Sequence, residues 1–254
     1  FISPTKIISG SRIIKTKNGN YNIGTRKGYL YERSSIDDSS YFFIANEMAI
    51  DDSLGLGEFR GNAVYKSKDS LSFDLLANNI KTNRNKDILL ATELPILLIK
   101  QPKDTLYISA DTLYSGRLSD LKRKIPKARA KEEMIKDSSL NKYFEAFHHV
   151  KIYSDSMQGI ADSLFYSLAD STIRLHKEPI LWVNQNQITG DTIHFISNIK
   201  TEQLDSLKVL NNAFMVQKDS SGYSQLKGKN MYGKFINNKL KSLNDVGNSE
   251  VIYY

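Results

Sequence analysis

The sequence lacks cysteine altogether and contains one tryptophan and five prolines in 254 residues. Without cysteine the chain forms no disulfide and no thiolate metal site. This suits an oxidising compartment but does not require one. The longest apolar runs, Ile88 to Ala91 and Leu94 to Ile99, have the length of a β-strand rather than of a membrane-spanning helix.

Motifs that would indicate catalysis are also missing. The four histidines include no pair at the helical i, i+4 spacing of a zinc protease; they are His148, His149, His176 and His194. The glycines Gly55, Gly57 and Gly61 lack the spacing of a phosphate-binding loop, and no Gly-x-Ser-x-Gly nucleophile motif occurs. We therefore expect a protein that is not an enzyme, with no cofactor and no metal ion.

Positive charge is concentrated in one segment. Residues Arg117 to Lys136 contain eight basic and three acidic side chains, which is +5 of the formal net charge of +7. The remaining chain is nearly balanced, and the segment contains no aromatic residue for stacking on bases, so we expect no nucleic-acid binding.

This basic segment is interpreted as an insertion over about 117–142. Leu118 to Ile135 has helix-forming composition, but Pro126 interrupts it. The segment is either a solvated loop or an arm that contacts anionic groups. The candidate contacts are Lys122, Arg123, Lys124, Lys127 and Arg129.

Elsewhere the sequence alternates in the manner of short β-strands. Val150 to Tyr153 and Thr172 to His176 place apolar side chains at every second position, which gives each strand one apolar face. The 14 tyrosines and 11 phenylalanines also favour strands. The pattern predicts an all-β fold.

A tetrad of a small residue, usually Asp or Asn, a variable residue and an aliphatic residue recurs along the chain. Its copies are Ala45-Asn46-Glu47-Met48, Ala77-Asn78-Asn79-Ile80, Ala110-Asp111-Thr112-Leu113, Ala161-Asp162-Ser163-Leu164, Gly190-Asp191-Thr192-Ile193 and Gly228-Lys229-Asn230-Met231. Before the third and fifth copies, Pro95 and Pro179 each open an apolar strand. Repetition at this spacing indicates a propagated architecture, and the long interval before the fourth copy contains the basic insertion.

The last 110 residues resemble a known family. The similarity is carried by Ala146-Phe147-His148-His149-Val150-Lys151-Ile152-Tyr153, Gly159-Ile160-Ala161-Asp162-Ser163-Leu164, Asp170-Ser171-Thr172, Pro179-Ile180-Leu181-Trp182, Asn186-Gln187-Ile188-Thr189-Gly190-Asp191-Thr192-Ile193, Gln225-Leu226-Lys227-Gly228-Lys229-Asn230-Met231 and Gly247-Asn248-Ser249-Glu250-Val251-Ile252-Tyr253-Tyr254. This pattern resembles the OstA-like proteins of Bacteroidetes, which are relatives of the LptA-type proteins of lipopolysaccharide transport. Through the repeat the resemblance extends from about Gly19 to Gly116, and it leaves out the basic insertion.

The resemblance implies an elongated open β-jellyroll, a V-shaped antiparallel sandwich that forms one continuous domain over 1–254. We expect that this domain is truncated at both ends. The resemblance also implies a periplasmic protein, with possible association with the outer membrane, that holds the acyl chains of lipopolysaccharide in an apolar groove. The lipid A portion of lipopolysaccharide is then the ligand, and other transport-bridge proteins are partners through edge strands. Head-to-tail self-association follows from the same edges.

Inward-alternating apolar positions are the candidates for the groove. They are Val150, Ile152, Ile173, Leu175, Ile180, Trp182, Ile193 and Phe195. Period-2 alternation leaves open which face of each strand lines the groove, because a shift of one residue exchanges the two faces. Trp182 lies in a strand that is apolar on both faces, so core packing is the competing interpretation.

A β-solenoid that acts as a surface scaffold or binds glycans is the alternative reading of the repeats. The intervals between tetrads range from 29 to 51 residues. Solenoid coils are more regular than this, and the irregular spacing favours the jellyroll.

Overall fold

The structure, a computed structural model, describes residues 2–68, 73–100, 104–121, 141–155, 157–197, 204–218, 220, 222–236 and 239–253. These residues form 23 β-strands and two 3₁₀ helices, Arg84–Lys86 and Leu118–Asp120. The strands are β1 (Thr5–Ser9), β2 (Arg12–Thr16), β3 (Asn18–Asn22), β4 (Lys27–Tyr31), β5 (Ser34–Asp37), β6 (Tyr41–Ala45), β7 (Glu47–Asp51), β8 (Leu56–Ser67), β9 (Phe73–Asn83), β10 (Ile88–Thr92), β11 (Ile96–Lys100), β12 (Thr105–Ser109), β13 (Thr112–Arg117), β14 (Lys142–Tyr153), β15 (Met157–Ser167), β16 (Thr172–His176), β17 (Ile180–Val183), β18 (Asn186–Thr189), β19 (Thr192–Ser197), β20 (Leu204–Lys218), β21 (Tyr223–Ile236), β22 (Lys239–Val246) and β23 (Glu250–Ile252).

Antiparallel pairing joins all of these strands into two sheets. The first sheet runs β1, β2, β5, β6, β8, β9, β11, β12, β14, β15, β17, β18, β20, β21, β23. The second sheet runs β3, β4, β7, β8, β9, β10, β13, β14, β15, β16, β19, β20, β21, β22. Six long strands belong to both sheets, which therefore meet along one line, the corner, and share no strand along the opposite side, the mouth. The predicted all-β jellyroll of two antiparallel sheets is confirmed.

The recurring tetrads lie at this corner. In β8 and β9, Arg60 pairs with Asn79 and Ala63 with Ala77, so that Gly61 and Asn62 together oppose the second residue of a tetrad. Two residues facing one is a β-bulge, which bends the strand. The same arrangement places His148-His149 opposite the Asp162 tetrad and Asn211-Asn212 opposite the Lys229 tetrad. The tetrads that recur in the sequence therefore mark the positions where the strands bend.

Backbone conformation explains how the bulges turn the strands. Each pair of extra residues has positive φ, for example 60° and 51° at His148 and His149. Glu93-Leu94 and Lys177-Glu178 adopt the same conformation immediately before Pro95 and Pro179. Five tetrads make the same type of backbone hydrogen bond. In each, the N–H of the second residue donates to the carbonyl of a bulge or turn residue; the donors are Asn46, Asn78, Asp111, Asp191 and Lys229.

The apolar core fills the space between the two sheets. Most strands turn alternate side chains inward, and the fully buried ones include Ile36 and Leu181 in the first sheet and Leu175 and Phe195 in the second. A smaller cluster of Leu118, Tyr143, Phe165 and Ala169 packs separately from this core. No helix among the described residues is long and apolar enough to cross a membrane.

The basic insertion starts and ends at neighbouring positions of the second sheet. Arg117 of β13 pairs with Lys142 of β14, and the N–H of Leu118 donates to the carbonyl of Asn141 at 3.3 Å. The 3₁₀ helix Leu118–Asp120 is the only part of the predicted helical stretch that the described residues include, apart from Leu121.

Candidate functional site

The predicted groove residues divide into two groups. Six of the eight are buried in the core between the sheets, with at most 5% of each side chain exposed. They are Val150, Ile152, Ile173, Leu175, Ile193 and Phe195. Register brings four of them together in the second sheet, where Ile173 pairs with Phe195 and Leu175 with Ile193. Val150 and Ile152 lie in the part of β14 that belongs to the first sheet.

The inward assignment of Ile180 and Trp182 is wrong. Leu181 and Val183 are the buried residues of β17, whereas Ile180 is half-buried and Trp182 is 37% exposed. Strand pairing decides which residues of β17 point inward. Leu181 lies opposite Gly159, which is on the inward face of β15, so Leu181 points inward as well. In Ile180-Leu181-Trp182-Val183 both faces are apolar, so alternation alone did not distinguish them.

An open cavity of about 660 Å³ lies between the sheets at the mouth, in the N-terminal half of the described chain. Its apolar lining comes from both sheets and includes Ile36, Phe43 and Tyr65 from the first and Ile50, Phe59 and Leu89 from the second. Phe43 and Phe59 stack nearly parallel with ring centroids 3.9 Å apart, which joins the two sheets behind the cavity. A cavity of this volume accommodates a small ligand or part of a larger one.

Four basic side chains belong to the lining of this cavity. They are Arg12, Arg84, Arg117 and Lys142. All four come from strand ends or turns at the mouth, because the strands run between corner and mouth and bring their ends to one rim. Among the described residues, the carboxylates in contact with these groups are Asp52 and Asp87. This cluster, the cationic rim, therefore has an excess of two positive charges over an apolar floor.

Asp52 connects the two sheets through the rim. Its Oδ1 lies 2.5 Å from Nη1 of Arg12 in the first sheet and 2.6 Å from Nη2 of Arg84, in the 3₁₀ helix that follows β9. Arg84 also donates to the hydroxyl of Tyr41 at 3.3 Å, and Tyr21 donates to Oδ2 of Asp52 at 3.1 Å. These bonds close part of the mouth.

The electrostatics follow from these contacts. Burial raises the pKa of Asp52, but the hydrogen bonds and positive charge of Arg12, with Tyr21 and Arg84, lower it more, so that the net pKa lies below its ordinary value. Burial, followed by the bond to Asp52, raises the pKa of Tyr21. Asp52 is therefore ionised at neutral pH and occupies the guanidinium groups that an external anion would use.

Arg12 and Lys142 are the least exposed members of the cationic rim. The side chain of Lys142 is 9% exposed; its Nζ lies 3.3 Å from Asp87 and 5.4 Å from the ring centroid of Phe73. The Nε of Arg12 is buried and has no hydrogen-bond partner among the described residues. A buried N–H donor without an acceptor is costly, and an anion at the rim would satisfy it.

Sequence reasoning missed most of this rim. Arg117 belonged to the basic segment, but Arg12 and Arg84 are isolated in the sequence, and Lys142 gave no pattern of its own. The five predicted anion contacts, Lys122, Arg123, Lys124, Lys127 and Arg129, lie outside the described residues. The flanking residues Arg117 and Lys142 line the cavity, so the segment begins and ends beside it.

The histidines form two further clusters. At the corner, Nδ1 of His148 lies 3.1 Å from Asp162 and Nδ1 of His149 lies 2.8 Å from Asp111, both on the surface. His176 and His194 lie edge to face on the second sheet. Within the described part of the chain, no group of three or more His, Cys, Asp or Glu side chains is arranged to hold a metal ion.

Comparisons with known proteins gave matches among solved structures alone. No family model matches the chain, and no curated protein matches it. Among solved structures, the chain is similar to LptH, the LptA-homologous periplasmic component of the lipopolysaccharide transport device of Pseudomonas aeruginosa. The likeness has 13% sequence identity and a TM-score of 0.40, and it covers 54% of this chain and 81% of LptH.

Proposed function

We propose that the chain binds an anionic lipid between its two sheets, with the acyl chains against the apolar floor and the anionic head group at the cationic rim. The observation that carries this proposal is the combination of a cavity that has an apolar floor with the buried Nε of Arg12, which has no hydrogen-bond partner among the described residues. Each buried methylene contributes roughly 0.8 kcal/mol, so acyl chains bind by area and need no sequence motif. The excess positive charge then selects an anionic amphiphile over a neutral one.

Lipopolysaccharide is the ligand we infer from the sequence resemblance, and its phosphorylated lipid A portion has the chemistry that the rim accepts. The protein would carry this lipid without altering it, in the periplasm, on the route to the outer membrane. The core beyond the cavity is closely packed, with Leu175 and Ile193 fully buried. A long acyl chain therefore enters further only if the sheets separate at the mouth.

Partners would join through the ends of the sheets. Within the described residues, β1 pairs only with β2 and β3 only with β4, while β22 and β23 each pair only with β21. One side of each of these strands forms no ladder with another described strand, which favours addition of a strand from another chain. Transport-bridge proteins, or a second copy joined head to tail, are the partners that we propose on this basis.

A dye-displacement titration tests the lipid proposal. Delipidated protein that has bound the neutral apolar dye N-phenyl-1-naphthylamine is titrated with rough-type lipopolysaccharide, and the loss of bound dye measures lipopolysaccharide binding. Arg84→Glu and the milder Arg84→Gln should weaken lipopolysaccharide binding, Arg84→Glu by about tenfold or more at low salt. Dye binding should change little in either variant. Arg60→Glu is the matched control, because Arg60 lies on the outer surface, beside Glu58.

Two outcomes would contradict the proposal. One is a folded protein that binds neither dye nor lipopolysaccharide. The other is equal affinity in Arg84→Glu, Arg60→Glu and the unmodified chain, which would place the head group elsewhere.

A further inference from the structure

The outer face of the first sheet carries an unusual line of side chains, distinct from the cavity on the inner side. Cross-strand pairing connects Leu98 to Tyr107, Tyr153, Gln158, Trp182, Gln187, Val216 and Gln225, one residue on each of eight successive strands. Directly paired residues of neighbouring strands lie on the same face. We call these eight residues the outer row; at about 4.8 Å per strand it spans roughly 34 Å.

Three aromatic rings in the outer row are open to solvent. Tyr107 is 40% exposed, Tyr153 is 51% exposed and Trp182 is 37% exposed. The two tyrosine rings have centroids 6.2 Å apart, and Trp182 lies two strands beyond Tyr153. A large aromatic side chain left in water at three places along one line marks a surface with a binding role more often than isolated exposure does.

Neutral amides are interleaved with these rings. Gln158 lies between Tyr153 and Trp182, and Gln187 follows Trp182 on the next strand. The indole Nε1 of Trp182 donates to Oε1 of Gln187 at 3.0 Å, which fixes the ring against the sheet. For the Nε2 group of Gln187 and the side-chain amides of Gln158 and Gln225, the structure gives no hydrogen bond within the described ranges. These groups offer both donors and acceptors to a ligand.

The absence of charged side chains from the outer row limits the class of ligand that it can bind. None of the eight side chains in the outer row is charged. Rings whose faces carry partial negative charge attract the C–H groups of a pyranose, while amides bind its hydroxyls. A peptide strand is a poor match, because the backbone groups of these central strands are already used within the sheet. One sugar unit is about as long as the separation of two strands, so a linear glycan can contact successive strands.

We propose that the outer row binds a linear oligosaccharide of neutral hexopyranose units, laid across the strands with sugar rings on Trp182, Tyr153 and Tyr107. Gln158 and Gln187 hold the hydroxyl groups between these rings. The site is independent of the lipid site, because it lies on the opposite face of the first sheet.

The single tryptophan makes this proposal directly measurable. Because Trp182 is the sole tryptophan of the sequence, intrinsic fluorescence excited at its absorption edge reports on the outer row alone. Titration with cellohexaose, maltohexaose and chitohexaose should give a saturable change in Trp182 emission with at least one of the three. Tyr153→Ala should weaken that binding by about tenfold. Tyr29→Ala is the matched control, because Tyr29 is exposed on the second sheet and should leave the affinity unchanged.

Calorimetry with the same oligosaccharides extends the test to Trp182→Ala, which removes the reporter. Lost binding in Trp182→Ala and Tyr153→Ala, with lipopolysaccharide binding retained, supports the proposal and separates it from the lipid site. No binding of any of the three at millimolar concentration overturns it. A Trp182 shift with phosphatidylethanolamine–phosphatidylglycerol vesicles but with no oligosaccharide also overturns it, in favour of membrane contact. If the protein binds no sugar but dimerises with increasing concentration, and Tyr153→Ala abolishes the dimer, the proposal is also overturned. The outer row is then an interface with a second copy of the chain.

Discussion

Arg12 and Asp52 face each other across the gap between the two sheets, with Nη1 and Oδ1 2.5 Å apart. Arg12 opens β2 of the first sheet, and Asp52 directly follows β7 of the second. Arg84 shares the same carboxylate oxygen at 2.6 Å. One carboxylate therefore both ties the sheets together and occupies the donors that a lipid head group needs.

Asp52→Asn should separate these two roles. The amide preserves the shape but removes the charge, which leaves Arg12 and Arg84 without their counter-ion. We expect the free energy of unfolding to fall by about 1–3 kcal/mol, while affinity for lipopolysaccharide rises several-fold because competition for the guanidinium groups is removed. Chemical denaturation and the dye-displacement titration measure the two effects. Weaker lipopolysaccharide binding in a folded Asp52→Asn protein would contradict the proposed placement of the head group.

His194 should make stability depend on pH. Burial, aided by the nearby positive charges of Arg174, His176 and Lys208, lowers the pKa of His194 from 6.5 to about 4. Between these values the unfolded chain binds more protons than the folded one, so stability falls as pH decreases from about 6.5 to about 4. The expected loss of unfolding free energy is about 1–2 kcal/mol. This is less than the full pKa shift would give, because the ring is partly solvated.

Denaturant titrations across this pH window check the assignment. His194→Gln should show a shallower loss of stability than the unmodified chain. His149→Gln, an exposed matched variant, should retain the full loss. Identical pH profiles for all three proteins would show that another group is responsible.

The left-handed backbone at the corner predicts a stabilising substitution. Leu94 is exposed and has φ of 63°, a conformation that costs a residue with a Cβ about 1–2 kcal/mol. Leu94→Gly should therefore raise the free energy of unfolding by about 0.5–1 kcal/mol, after allowance for the greater freedom of glycine in the unfolded chain. Ile160→Gly, on a regular strand where the side chain is 40% exposed against 83% at Leu94, should lower it. Thermal unfolding of both variants distinguishes backbone relief from general surface effects.

Packing between the sheets should be sensitive to truncation of Leu175. This side chain is fully buried, and its cross-strand partners are Leu164 and Ile193. Leu175→Ala should cost about 2–5 kcal/mol of unfolding free energy. Ile96→Ala on the outer face, where the side chain is 39% exposed, should cost less than about 1 kcal/mol. Comparable losses in the two variants would contradict the assignment of inner and outer faces.

The fold followed from the sequence because its signals are local. Alternation at Val150 to Tyr153 and Thr172 to His176 predicted strands that the structure contains within β14 and β16. The tetrads were found as a repeat before their role was known, and the structure shows that they form the corner. A small residue followed by Asn or Asp suits this position, because the strand bends there and its backbone N–H must reach a neighbouring turn or bulge.

The site did not follow in the same way. Arg12, Arg84 and Lys142 are far apart in the sequence and meet only because strand ends converge at the mouth. The wrong inward assignment of Ile180 and Trp182 has a different origin. The strand β17 is four residues long and apolar on both faces, so its sequence does not distinguish the inward face from the outward one. Only its pairing with β15 identifies Leu181 and Val183 as the inward residues.

Photo-crosslinking at Ile88 tests most directly the claim that lipid lies between the sheets. Ile88 is half-buried and lines the cavity, and Ile160 on the outer face of the first sheet is the control position. p-Benzoylphenylalanine at each position would be irradiated with lipopolysaccharide, and the products resolved by mass. We predict a lipid adduct at Ile88 and none at Ile160. An adduct at Ile160 alone, or at neither position in folded protein, would contradict lipid binding between the sheets.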